Sequence, residues 1–97
     1  MQLTVKPLIE TNPEIEVDVL TAETEKHQII VHNDDVNTFD WVIESLIEVC
    51  EHTAEQAEQC TIIIHYKGKC DVLSGEYDYL KPRCTELLNR GISAEIV

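Results

Sequence analysis

The apolar period of this chain changes across three residues. Gln28–His32 (QIIVH) is a short β-branched run, Asn33-Asp34-Asp35 follows, and beyond it apolar side chains recur at Phe39, Val42, Ile43, Leu46, Ile47 and Cys50. β-Branched side chains suit a pleated strand, whereas the i, i+3, i+4, i+7 spacing describes one buried stripe of a helix. Between them, Asn and Asp side chains bond nearby backbone and favour a turn. The segment therefore reads as a strand, a polar loop and an amphipathic helix, with Asn37 or Thr38 as the helix cap.

The same reasoning extends to the C-terminus. Thr53-Ala54-Glu55-Gln56 has the form of a capping box, so a second helix starts after a break near His52. Its apolar side includes Ala57, Cys60, Thr61 and Ile64. The run Ile62-Ile63-Ile64 is β-branched, but the cap and the spacing upstream favour helix to about Tyr66, with Gly68 as its terminator. Lys69–Leu73 reads as a second strand and Ser74-Gly75 as a turn. A third helix is expected from about Asp78 to Asn89, buried through Leu80, Cys84, Leu87 and Leu88, with Pro82 required to fall in its first turn. Ile92–Val97 is the last strand. The expected class is α+β: a small βααβαβ sandwich, a three-stranded antiparallel sheet with three helices on one side.

Residues 1–26 hold Pro7, Pro13 and six carboxylates, and their short apolar pieces make no consistent face. They read as a mobile acidic extension, with a weak strand signal at 14–20, preceding a core domain at 27–97. The 97 residues carry a formal charge of −12, and residues 27–66 contain eight carboxylates and no Lys or Arg. Such a balance argues against nucleic acid or an anionic membrane as a partner. No apolar run approaches the roughly 20 residues of a membrane helix, and the first residues have no basic-then-apolar export pattern. A cytoplasmic protein is expected. Cys50, Cys60, Cys70 and Cys84 contain no C-x-x-C pair, which points to reduced thiols, and Cys50, Cys60 and Cys84 fall on apolar helix positions where they fill the core.

Two clusters concentrate polar chemistry. His32-Asn33-Asp34-Asp35 gathers acceptors at the end of a strand, a place where loops display binding groups. His65-Tyr66-Lys67-Gly68-Lys69 closes the second helix. Neither forms a catalytic pair, a nucleophile elbow or a phosphate-cradling glycine loop, and the carboxylates complete no recognised metal pattern. The chain reads as a binder, with no enzyme activity, cofactor or metal expected.

Taken together, VHNDDVNTFDWVIESL and AEQCTIIIHYKGK resemble the ClpS family, the adaptors that hand N-degron substrates to the AAA+ unfoldases ClpA or ClpC of the Clp protease. The resemblance covers roughly residues 27–97. It implies recognition of a free α-ammonium group followed by a large apolar first residue such as Phe, Leu, Tyr or Trp. An ammonium taken out of water needs acceptors for its N–H bonds. The resemblance assigns these to Asn33, Asp35 and His65, with Asp34 shaping the loop and its negative field, and His65 acting as a neutral imidazole. It lines the side-chain pocket with Val31, Phe39, Val42, Thr61, Ile64 and Ile92. On the third helix it places unfoldase contacts at Asp78 and Arg83, and it makes the N-terminal extension the handle engaged by the unfoldase pore. A monomer is expected.

This chain departs from the family pattern in the pocket. Phe39 and Thr61 stand where Met is frequent, and Asn37-Thr38 stands where Thr-Pro is usual. Thr61 exchanges an apolar wall for a hydroxyl, so Tyr and Trp are expected to be relatively well tolerated as first residues. Two other readings differ in class. One is a scaffold domain of the same fold without a degron pocket, like the C-terminal domain of a ribosomal stalk protein. The other is a metal enzyme built on Asp34, Asp35 and His65.

Overall fold

The structure is a computed structural model that describes residues 26–97. Six elements follow one another: strand β1 (His27–His32), helix α1 (Phe39–Cys50), helix α2 (Ala54–Lys67), strand β2 (Lys69–Gly75), helix α3 (Tyr77–Asn89) and strand β3 (Ala94–Ile96). The acidic extension and the weak strand signal at 14–20 lie outside the described residues, except for Lys26. The sheet order is β2-β1-β3, and β1 is antiparallel to both neighbours.

Alternation along the strands creates the core face. Ile29 and Val31 of β1 and Cys70 and Val72 of β2 are buried, while their neighbours in sequence are more exposed. Residues two apart share a face of a strand, so all four point to the same side. The helices meet them there with Val42, Leu46, Ala57, Ile64, Leu80 and Leu87. Burying each large side chain of this set stabilises the fold by about 1.5–3 kcal/mol.

Local chemistry accounts for the helix starts. Thr38 has extended backbone and its hydroxyl accepts the Trp41 N–H at 3.1 Å, so Thr38 rather than Asn37 caps α1. The capping box of α2 is reciprocal: Thr53 Oγ1 accepts from the Gln56 N–H at 3.1 Å, and Gln56 Oε1 accepts from the Thr53 N–H at 2.9 Å. Helix α2 continues through the Ile62–Ile64 run to Lys67, as the cap requires.

Several boundaries differ from those read in the sequence. Ser74 and Gly75 belong to β2, paired with Gln28 and His27, so the connection to α3 is reduced to its cap residue Glu76. Pro82 lies in the second turn of α3 rather than the first. The ring removes the donor that the Asp78 carbonyl would receive, and because Asp78 is exposed, water can solvate that carbonyl. Strand β3 is shorter than Ile92–Val97, because the Ile92 N–H is still tied to the Leu87 carbonyl at 3.0 Å in the closing turn of α3. Phe39 and Ile47 are 42% and 37% exposed, whereas Val49 is buried. The buried arc of α1 is rotated toward Ser45 and Val49, since this helix packs against both α2 and α3. Leu88 is likewise exposed and Leu87 fully buried.

All four cysteines are free thiols, with Cys50, Cys70 and Cys84 buried and Cys60 half-buried. Burial pushes the Cys50 thiol up to about 11 and the Cys70 thiol up to about 12. The thiolate is the reactive form. Iodoacetamide at neutral pH should therefore label the folded protein slowly and at Cys60 first, and label all four sites once it is unfolded. Mass spectrometry showing fast modification of Cys50 or Cys70 in the folded state would contradict this packing.

Candidate functional site

The two polar clusters meet because β1 ends where β2 begins. His32 pairs with Lys69 across the sheet, and one residue further the Asn33 N–H donates to the Gly68 carbonyl at 2.8 Å. Gly68 has φ 93°, in the left-handed region that favours glycine. Its own N–H closes α2 on the Ile64 carbonyl at 2.9 Å. His65, one turn back on α2, is thereby brought to the loop that begins at Asn33.

Between the loop and the helices lies a cavity of about 330 Å³. Its apolar wall comes from Val31 of β1, Phe39 and Val42 of α1, Thr61 and Ile64 of α2, and Ile92 of the α3–β3 connector. Its polar side comes from Asn33, Asp34, Asp35 and His65, with His32, Asn37 and Thr38 beside them. Every residue expected to bind an ammonium or an apolar side chain thus borders one space. Val31, Ile92, Thr61, Ile64 and Val42 form its buried interior, and Phe39 remains exposed. The Phe39 ring meets the His65 ring edge-on with centroids 5.2 Å apart, and Tyr66 meets His65 from a second direction at 4.9 Å. The Thr61 hydroxyl donates to the Ala57 carbonyl at 2.7 Å, so it can only accept a hydrogen bond from anything in the cavity.

The polar groups differ in what they have left to offer. Asp34 Oδ1 accepts from the Val36 and Asn37 N–H groups, both at 2.9 Å, and Oδ2 accepts from Asn37 Nδ2 at 2.8 Å. The backbone bond from Asn37 is the main cause that holds the Asp34 carboxyl below its usual range; burial opposes it, and the Val36 backbone bond and the Asn37 side-chain bond add to the lowering. The other histidines are engaged: His27 with the Val97 carbonyl at 3.1 Å, His32 with Glu95 at 2.7 Å and His52 with the Val72 carbonyl at 2.6 Å. Among the described residues, the side chains of Asn33, Asp35 and His65 have no hydrogen-bond partner. Three acceptors with open lone pairs therefore stand beside an apolar space, which suits a ligand that carries a cationic donor next to a bulky apolar group.

Asn37 is the polar residue that sequence reasoning missed, since the sequence marks it only as an alternative cap and as a departure from the usual Thr-Pro. Its Nδ2 also donates to the Gly91 carbonyl at 2.8 Å. No local signal announces a bond between residues 54 positions apart. Next to it, Trp41 Nε1 donates to the Arg90 carbonyl at 3.0 Å, and the Arg90 guanidinium pairs with Glu48 at 2.8 Å and Glu86 at 3.1 Å. Asp78 and Arg83 lie away from the cavity on α3. Asp78 is exposed in the first turn, and Arg83 lies 3.9 Å over the Tyr79 ring while donating to the Tyr79 carbonyl at 2.7 Å. Among the described residues, no three His, Cys, Asp or Glu side chains converge as a metal site.

The Asp34 bonds make the folded protein bind a proton at this carboxyl less readily than the unfolded chain does. Their stabilisation is complete above the ordinary carboxyl value of 3.8 and fades as the pH falls through the lower, folded value. An NMR titration of the side-chain carboxyl should give Asp34 a midpoint below 3.8; a midpoint at or above that value would contradict the loop geometry.

The family model described as ATP-dependent Clp protease adaptor protein ClpS matches residues 22–95. Two ATP-dependent Clp protease adapter proteins ClpS are similar in sequence. That of Nitratidesulfovibrio vulgaris (strain DSM 19637 / Miyazaki F) is 31% identical over 65 residues, 65% of each chain. That of Campylobacter jejuni (subsp. jejuni serotype O:23/36, strain 81-176) is 35% identical over 57 residues, 57% of this chain and 59% of the relative. The chain thus spans slightly under two thirds of the length of these relatives. Agrobacterium tumefaciens ClpS2, whose structure was solved bound to L-phenylalaninamide, has the same fold, with a TM-score of 0.73 at 16% identity over 76% of this chain and 96% of that one. With the family model matched over most of its length, the chain belongs to the ClpS family of ATP-dependent Clp protease adaptor proteins.

Proposed function

We propose that this adaptor binds N-degron polypeptides through a free α-amino group and a large apolar first residue such as Phe, Leu, Tyr or Trp. It then delivers them to a ClpA- or ClpC-type AAA+ unfoldase for degradation by the Clp protease. The reading rests on one observation: Asn33, Asp35 and His65 keep open acceptors at the edge of an apolar cavity in which the neighbouring carboxylate, Asp34, already accepts three hydrogen bonds from within the loop. An α-ammonium presents three donors, and three acceptors await it. Asp34 contributes its fixed negative charge and holds the loop in shape. His65 accepts as a neutral ring, since a protonated imidazole has no lone pair to offer. The amine and benzyl group of the phenylalaninamide bound to ClpS2 belong to the same chemical class of ligand.

Both halves of the ligand are needed. A large side chain moved from water into the cavity contributes about 2–3 kcal/mol, and each hydrogen bond to the charged amine about 1.5–3 kcal/mol. The acceptors are exposed, so screening places them toward the lower end. No covalent bond is made or broken, and the protein acts as a monomeric, cytoplasmic, non-enzymatic carrier of its ligand. Nucleic acid is no partner for a chain of charge −12. The core, residues 27–97, holds the substrate, and residues 1–26 supply the handle for the unfoldase. Asp78 and Arg83 form the contact with the unfoldase N-terminal domain, on a helix face separate from the cavity.

Fluorescence anisotropy of a Phe-initiated peptide tests the binding step. Asn33→Ala and His65→Ala should each weaken it by about tenfold or more, and N-acetylation of the peptide should abolish it. Equal binding of the free and acetylated peptides would refute the reading. The lone acceptor left on Thr61 adds that Tyr- and Trp-initiated peptides bind within about tenfold of the Leu-initiated one, and a larger preference for Leu would exclude that role. For delivery, Arg83→Glu should abolish binding of the unfoldase N-terminal domain while leaving peptide affinity unchanged; retained binding would remove Arg83 from the contact.

A further inference from the structure

We propose that Asn37 is a positioning residue that fixes the distance between the amine acceptors and the apolar wall, and so makes the cavity selective for side-chain length. The inference rests on the degron-binding reading above. A side-chain amide has two N–H hydrogens, and Asn37 spends them on different parts of the site: one on Asp34 Oδ2 at 2.8 Å, the other on the Gly91 carbonyl at 2.8 Å. Its backbone N–H adds a third bond, to Asp34 Oδ1 at 2.9 Å.

Each end of this bridge sits next to a ligand-facing residue. Asp34 lies between Asn33 and Asp35, so holding its carboxylate holds the backbone from which both acceptors project. Gly91 immediately precedes Ile92, which is 2% exposed and lines the cavity. Gly91 has φ 83° in the turn that closes α3, where its N–H is bonded to the Leu88 carbonyl and the Ile92 N–H to the Leu87 carbonyl. Among the described residues, Asn37 is the one side chain bonded to both the acceptor loop and this connector. The Trp41 indole ties α1 to the same connector through the Arg90 carbonyl but makes no bond to the loop; only the Trp41 backbone N–H reaches it, at the Thr38 cap.

A ligand gripped at its amine by one part and at its side chain by the other senses their separation. With the bridge intact, a side chain one methylene longer than Phe has to displace either the amine or the wall. Without the bridge, the bond from the His32 N–H to the Ser93 carbonyl at 2.9 Å still joins the two parts at the sheet, but the loop beyond Asn33 can shift from the connector and admit it.

The test compares peptides that begin with phenylalanine and with homophenylalanine, titrated by anisotropy against the full-length protein. In the unaltered protein Phe should bind about tenfold tighter than homophenylalanine. Asn37→Asp keeps the shape but replaces both donors with an acceptor facing Asp34 and Gly91, and it should bring that ratio to within about twofold while weakening Phe binding. Trp41→Phe, which breaks only the Arg90 strap, should lower the melting temperature and keep the ratio. If Asn37→Asp does not fold, Asn37→Ser, which retains one donor, should give an intermediate ratio. An Asn37 variant that weakens both peptides by the same factor reduces Asn37 to a general stabiliser and overturns the proposal, as does a Trp41→Phe variant that loses the selectivity. Wild-type protein that does not bind the Phe peptide overturns the degron reading and this proposal with it; binding with selectivity unchanged in every Asn37 variant overturns this proposal alone.

Discussion

The antiparallel pairing of β1 with β2 sets the positions of the remaining parts of the site. It places the end of one strand beside the start of the other, and the single bond from the Asn33 N–H to the Gly68 carbonyl carries that alignment one residue past the sheet. Because β2 starts immediately after α2 ends, the last turn of α2 is carried to the loop that leaves β1. Two distant sequence stretches thus share a rim through a backbone bond. The backbone ladder supplies both the stability and the aim.

The two carboxylates of the rim, Asp34 and Asp35, differ in how they are bonded. Three donors bind the oxygens of Asp34 inside the loop, and these bonds give the short connection a defined shape without glycine or proline. The flanking polar groups are left to face outward. A cationic donor is attracted by both, and the second kind offers it more free lone pairs. The same economy appears at Thr61, whose hydroxyl proton is held by its own helix at the Ala57 carbonyl, so a polar atom sits in an apolar wall without an unsatisfied donor.

Much of this was legible in the sequence because the signals were local. The β-branched run before Asn33, the reciprocal Thr53–Gln56 cap and Gly68 each dictate a conformation within a few residues, and the structure adopts all three. The residues that line the cavity were reached through the resemblance carried by the two motifs, not through periodicity. What the sequence concealed depends on distant packing. Helical spacing counted Phe39 and Ile47 into the core, but the angle at which α1 meets α2 and α3 leaves both partly outside, and Phe39 borders the cavity instead. Pro82 looked incompatible with a mid-helix position, yet the carbonyl it deprives belongs to an exposed residue and can be hydrated. The Asn37–Gly91 bond joins residues that no pattern relates.

Gly68 does two jobs at one position, terminating α2 and receiving the Asn33 N–H, and so the three-residue interval from His65 to Gly68 works as a ruler. Each residue of an α-helix turns the chain by about 100°. Inserting or deleting one residue in that interval would swing the imidazole about a quarter turn off the rim, and with it the buried stripe of Ala57, Thr61 and Ile64. The H-Y-x-G-K signature is then a matter of angular phase: the glycine fixes where the helix stops, and the count back from it fixes the direction in which the histidine faces.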